Sequence, residues 1–227
     1  PNQRIGRCFV GNVDTGWDDG RHLAAFEWGV TGEDFNPEVG FVQRNGGYSR
    51  YRVRIAETFR QDTVRGWGFR QLQPHINYTR YDYLDGGLLN AELHLDNDWD
   101  WENGNFVSVA LNGTWDGLRE PFRVAPGIIV PAGNHGGLRT TLRANTDPRK
   151  SVFGQIAWNV GRFLNGNERS PTVHVIVRDG GLLSVDTTWT HRSVTLPQGD
   201  FRTNLGNMRV TYNFTPSVFV QSLLQYN

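Results

Sequence analysis

The chain has 227 residues, 23 basic against 23 acidic side chains, and a mean hydropathy of -0.51. This balance gives no bulk electrostatic case for nucleic acid, and no apolar run approaches the roughly 20 residues of a membrane helix. A membrane β-barrel stays open as a class, because only alternate residues of its strands meet lipid.

Period-two alternation dominates the chain, which predicts an all-β protein: one antiparallel, up-and-down sheet of about a dozen strands. Strands are expected near 4–13, 21–30 and 38–44, with Cys8 packed in the first as a small hydrophobe. Over 50–59, Tyr51, Val53, Ile55 and Phe59 share one face while Arg50, Arg52 and Arg54 line the other. A strand within 67–83 follows. Over 88–96, Leu89, Ala91, Leu93 and Leu95 oppose Asn90, Glu92, His94 and Asp96. Over 106–115, Val107, Val109, Leu111 and Trp115 oppose Ser108, Asn112 and Thr114.

Residues 117–135 break this rhythm. Pro121, Pro126 and Pro131 exclude a central strand, so an ordered loop or a short edge segment is expected, a non-strand connection packed against the sheet or plugging its mouth to cover Phe122, Val124, Ile128 and Ile129. Alternation resumes in 138–145, where Leu138, Leu142 and Ala144 oppose Arg139, Arg143 and Asn145. In 152–160, Val152, Ile156, Trp158 and Val160 oppose Gln155 and Asn159. Strands at 171–178 and 183–192 precede a terminal hairpin around Thr215-Pro216-Ser217. The clusters "DTGWDDG", "RNGGYS", "LDGG", "DNDWDWENGN", "NTDPRK", "LNGNERSP" and "RDGG" are expected to be turns. Nothing marks a boundary, and residues 1–227 are expected to form a single β-barrel-like domain.

The polar faces carry Arg, Asn, Gln, Thr and His, and Lys150 is the single lysine. Such side chains suit a narrow lumen, where each polar group needs a partner. The apolar faces mix aliphatic residues with aromatics near strand ends, as lipid contact with aromatic girdles requires. Membrane lipid is therefore the expected partner. The alternative is a soluble β-sandwich that binds or hydrolyses polysaccharide.

The phrases "GEDFNPEVGFVQR" (32–44), "EPFRVAPGIIVPAGNH" (120–135), "VTLPQGDF" (194–201) and "VTYNFTPSVFVQSLLQYN" (210–227) carry a resemblance. Together they resemble the uncharacterised β-barrel-like C-terminal domain of large Gram-negative envelope proteins. In that family it follows a domain similar to a family 9 carbohydrate-binding module. The resemblance implies an outer-membrane β-barrel location and no particular activity; the role expected for the chain is structural or transport-related, linked to glycan handling through the upstream domain. It also implies truncation at both ends, since family members carry that domain before the barrel and further strands after "LLQYN".

Sites of chemistry are few. Asp96, Asp98 and Asp100 match the first three ligand positions of a calcium loop, but Trp101 and Val107 stand where its Gly and Glu belong. An acidic surface turn is expected there, with a loop calcium site as the alternative. The histidines show no H-x-H or H-E-x-x-H spacing, so no metal site is expected, and His94 is assigned a hydrogen-bonded structural role. No cofactor motif is found. Glu92 and Asp186 would serve a retaining glycosidase only at a separation of about 5–5.5 Å, and a non-enzyme is expected. Arg50, Arg52, Arg54, Arg139 and Arg143 form either a basic ladder that favours anions or a lumen wall salt-bridged to Glu92, Asp96 and Asp186. Trp17, Trp67, Trp99 and Trp101 suit interfacial anchoring or stacking on a glycan.

Overall fold

The computed structural model describes residues 8–36, 47–60 and 62–227; the strand expected over 38–44 lies outside them. Strands β1 (Val10–Asp18), β2 (His22–Thr31), β3 (Tyr48–Glu57), β4 (Phe69–Tyr83), β5 (Leu88–Trp101) and β6 (Phe106–Leu118) pair in chain order. A hairpin of β7 (Phe122–Ala125) and β8 (Ile128–Val130) then leaves the main sheet. Pairing resumes with β9 (Gly133–Asn145), β10 (Val152–Phe163), β11 (Gly166–Asp179), β12 (Leu183–Leu196), β13 (Gly199–Thr215) and β14 (Val218–Tyr226). One helical turn, α1 (Asp62–Gly66), precedes β4.

The result is a 12-stranded antiparallel meander, as the alternation implied. It is an open sheet. Its edges, β1 and β14, are not hydrogen-bonded to each other, so these residues do not close into a barrel. An even number of alternating strands leaves the two edges antiparallel, the orientation that closure or extension by further strands needs.

Several boundaries differ from expectation. Asp14–Asp18 of "DTGWDDG" continue β1, and Asp96–Trp101 of "DNDWDWENGN" continue β5. Glu168 and Ser170 of "LNGNERSP" lie within β11. These stretches are polar on one face because that face is hydrogen-bonded, and hydrophobic period alone undercounts such strand ends. Cys8 is exposed before β1 rather than packed. The segment 117–135 is not strand-free either: the three prolines fall outside β7 and β8, whose residues pair with each other off the main sheet.

Register separates the two faces. Val109 lies opposite Leu142, which lies opposite Trp158; Ala144 sits between Val107 and Ile156. Leu93 faces Tyr78 and Gly113, whereas its neighbour His94 faces Asn77 and Asn112. The apolar face is the open one: Leu138 is 63% exposed and Ile156 52%. On the opposite face Ser108, Asn112, Glu168 and Ser170 are buried. A water-soluble sheet packs its faces the other way round.

The best-packed apolar cluster lies at one end of the polar face. Ile128 and Val130 of the β7–β8 hairpin bury against Leu164, Val194 and Leu196, with Val124, Phe163 and Phe201 around them. The hairpin therefore covers the polar side of the sheet at the end of the β10–β11 turn.

Candidate functional site

Two charge clusters organise the polar face. Glu27 on β2 accepts from Arg50 (3.2 Å) and Arg52 (3.3 Å) on β3. Glu168 on β11, nearly inaccessible to solvent, accepts from Arg139 on β9 at 3.1 Å. Arg192 on β12 reaches the other Glu168 oxygen at 2.9 and 2.7 Å. Charge-assisted bonds of this kind compensate the desolvation of each partner. Arg54 donates to Asn77 (3.3 Å), and the Arg143 guanidinium lies 4.9 Å above the Phe106 ring.

The arginine ladder is thus largely neutralised, but not by the carboxylates expected. Glu27 and Glu168 take the arginines, while Asp186 pairs with His174 at 2.8 Å and Asp96 accepts from Ser108 at 2.7 Å. Glu92 makes no hydrogen bond or ion pair among the described residues. It stands five strands from Asp186 in the sheet order, and no hydrogen bond or ion pair joins the two among the described residues.

The acidic triplet belongs to a strand rather than a loop. Asp96, Asp98 and Asp100 follow one another along the polar face of β5, about 6.8 Å apart at strand rise. Asp100 accepts from Gln71 (2.8 Å) and pairs with Arg70 (3.1 Å). They lie along a strand rather than around a loop, so the calcium loop is not formed.

Asp96 has other company. It lies directly opposite His75 in the β4–β5 pairing, with His94 on the same face two residues before it. His75 Nε2 and His94 Nε2 are 3.2 Å apart, and His94 Nε2 lies 3.5 Å from Asp96 Oδ2. All three ligand-type atoms fall within 4.8 Å of one another. The other nitrogen of each ring is engaged: His75 Nδ1 with the Gln73 carbonyl at 3.1 Å, His94 Nδ1 with Asn112 Oδ1 at 2.6 Å. His75 also lines a polar cavity of about 430 Å³ bordered by His22, Arg54, Gln73 and Asp98. The spacing rules for a single strand miss this group because its members sit on two strands; reflecting 67–83 and 88–96 through "LDGG" was the signal available.

Of the aromatic candidates, Trp17, Trp67, Trp99 and Trp101 all lie toward the end of the sheet opposite the β7–β8 hairpin. Trp17 stacks on His22, with ring centroids 5.6 Å apart, and Trp101 packs on Phe69 at 4.8 Å. Trp99 stands on the apolar face opposite Leu72 and Val107, and Trp67 is exposed in the connection before β4. Trp17 and Trp101 thus pack on separate partners, and no ring contact joins any two of the four among the described residues. No helix is long and apolar enough to cross a membrane, which says nothing of strands. No family model, curated protein or solved structure matches the chain.

Proposed function

We propose that the chain is a membrane-embedded section of an outer-membrane β-barrel, with a structural or transport role and no catalytic step of its own. The observation that carries this reading is the inverted polarity of the sheet. An exposed apolar face runs across the strands, and the opposite face holds buried, mutually bonded charges. In water the exposed face would be a large association liability; in a bilayer it is the ordinary lipid contact. Strand length supports the same reading. The 12 main strands run from 9 residues in β1 to 17 in β13, against about 9–11 residues needed to cross a bilayer and about 5–6 in a typical soluble sheet. The Gram-negative outer membrane is supported by the resemblance carried by the phrases at 32–44, 120–135, 194–201 and 210–227, and by the strand type that membrane accommodates.

Leu138→Arg tests it. Leu138 is fully on the apolar face, midway along β9. Arginine there destabilises by about 2–4 kcal/mol if the face meets lipid near the bilayer centre, and by no more than about 0.5 kcal/mol if it meets water. Urea unfolding of the protein folded into phospholipid vesicles separates the two. A neutral substitution, in a protein that purifies without detergent, returns the soluble sandwich.

A further inference from the structure

We propose that His75, His94 and Asp96 bind a divalent transition-metal ion of the zinc type on the polar face, with one coordination position open to the adjoining cavity. The site lies on the polar face, whether the apolar face meets lipid or water.

Hydrogen-bond direction carries it. The Gln73 carbonyl can only accept, so His75 Nδ1 bears the proton of that 3.1 Å bond. Asn112 donates its amide to Thr141 Oγ1 (3.1 Å) and the Arg139 carbonyl (3.4 Å), which turns its oxygen toward His94. His94 Nδ1 therefore bears the proton of the 2.6 Å bond. With each Nδ1 proton so placed, Nε2 is the position each ring can offer to a metal, and the two Nε2 atoms face each other at 3.2 Å beside the carboxylate Oδ2 of Asp96. Ser108 Oγ donates to that oxygen at 2.7 Å, but no group outside the pair donates to either Nε2 among the described residues. A cation resolves this, and the outer shell is the one that metal-bound histidines use: each second ring nitrogen donates to an oxygen.

The dimensions agree. Bonds of about 2.0–2.1 Å in a tetrahedron place ligand atoms about 3.3–3.4 Å apart, and the two shorter edges here are 3.2 and 3.5 Å. Closing the third requires only a modest rotation on two paired strands. The Asp96 side chain is 8% exposed, and its Oδ1 is buried without a hydrogen-bond partner, so it holds an unused ligand atom. Two imidazoles and one carboxylate select zinc, nickel or copper over calcium or magnesium. The fourth position falls on the side where His75 borders the polar cavity, which suits water or a small anion.

The test uses the folded protein in detergent, stripped by a chelator and titrated calorimetrically with Zn²⁺ alone, with Co²⁺ replacing it for absorption spectroscopy. One ion per chain is expected, with visible bands of a tetrahedral cobalt site. His94→Ala and His75→Ala should each weaken binding about 100-fold or more, and Asn112→Leu about 10–100-fold through loss of ring orientation. His174→Ala, remote in the β11–β12 pairing, should leave it unchanged. Should the histidine variants misfold, imidazole ¹⁵N spectra of the unaltered protein decide. Nε2 signals that move on adding Zn²⁺ uphold the site. An imidazolium signal unresponsive to Zn²⁺, or stoichiometric binding indifferent to His75 and His94, overturns it.

Discussion

Arg192 donates from both Nε and Nη2 to one oxygen of Glu168, at 2.9 and 2.7 Å, and so joins β12 to β11 on the polar side of the sheet. Arg139 takes the second oxygen from β9, two strands away. One carboxylate thus ties three strands. Glu168→Gln keeps the shape but turns an acceptor into a donor against a guanidinium. A loss of about 3 kcal/mol is expected from breaking a largely buried pair, read by urea unfolding. If Arg192→Met alone costs as much, and Glu168→Gln adds nothing to it, the two act as one unit.

The β7–β8 hairpin depends on Val130, which has no exposed surface. Val130→Ala removes two buried methyl groups and leaves a cavity, with an expected cost of about 2–3 kcal/mol. Hydrogen exchange should accelerate first at Phe122–Val130, since few bonds besides its own ladder hold the hairpin. Uniform acceleration over the entire sheet would show that the hairpin is not a separable cover.

Asp147, in the β9–β10 turn, is held down to about 2, chiefly by the Arg149 side chain and then by its backbone N–H. The guanidinium bonds both carboxylate oxygens at 2.9 Å. Because the folded value lies below the ordinary carboxylate value, the ionised form stabilises the turn above about pH 4. That contribution is lost as pH falls from there through about 2. Carboxyl ¹³C titration should place Asp147 near its depressed value, and Arg149→Ala should return it toward the ordinary one.

The same aspartate limits the neighbouring β5–β6 turn. Gly104 has φ +85°, and a Cβ there would come 2.6 Å from Asp147 Cγ. Gly104→Ala should therefore cost about 1–3 kcal/mol from backbone conformation, with a further part from the collision. Asp147→Ala removes the carboxyl atoms but keeps the Cβ at 2.9 Å, so it should recover only part of the collision, and a double-mutant cycle in thermal unfolding should show coupling between two turns 43 residues apart in sequence.

Much of this was legible in the residues. Leu93 beside His94, and Arg50, Arg52 and Arg54 in step, state the two faces directly, because a strand alternates its side chains whatever surrounds it. Glu168 was not legible as a site. It sits in "LNGNERSP", where polar residues occupy both faces and no hydrophobic period marks the strand. Only the arrival of Arg139 and Arg192 from other strands gives it a role.

The metal candidate marks the division most sharply. Sequence by itself determined that 67–83 and 88–96 are strands turning at "LDGG", and so that His75 comes near Leu95 or Asp96. Counting back from Asp82 opposite Leu88 places His75 opposite Leu95, on the wrong face. A register shift between Tyr81 and Asp82 moves the pairs from Tyr81 back to Gln71 by one, so that Tyr81 meets Asn90 and His75 meets Asp96. Only the tertiary structure decided that bulge. One residue of slip exchanges the two faces of a strand, and the choice rests on the whole sheet: in the adopted register Ile76 meets Leu95 among apolar neighbours, while His75 and His94 meet on the polar side.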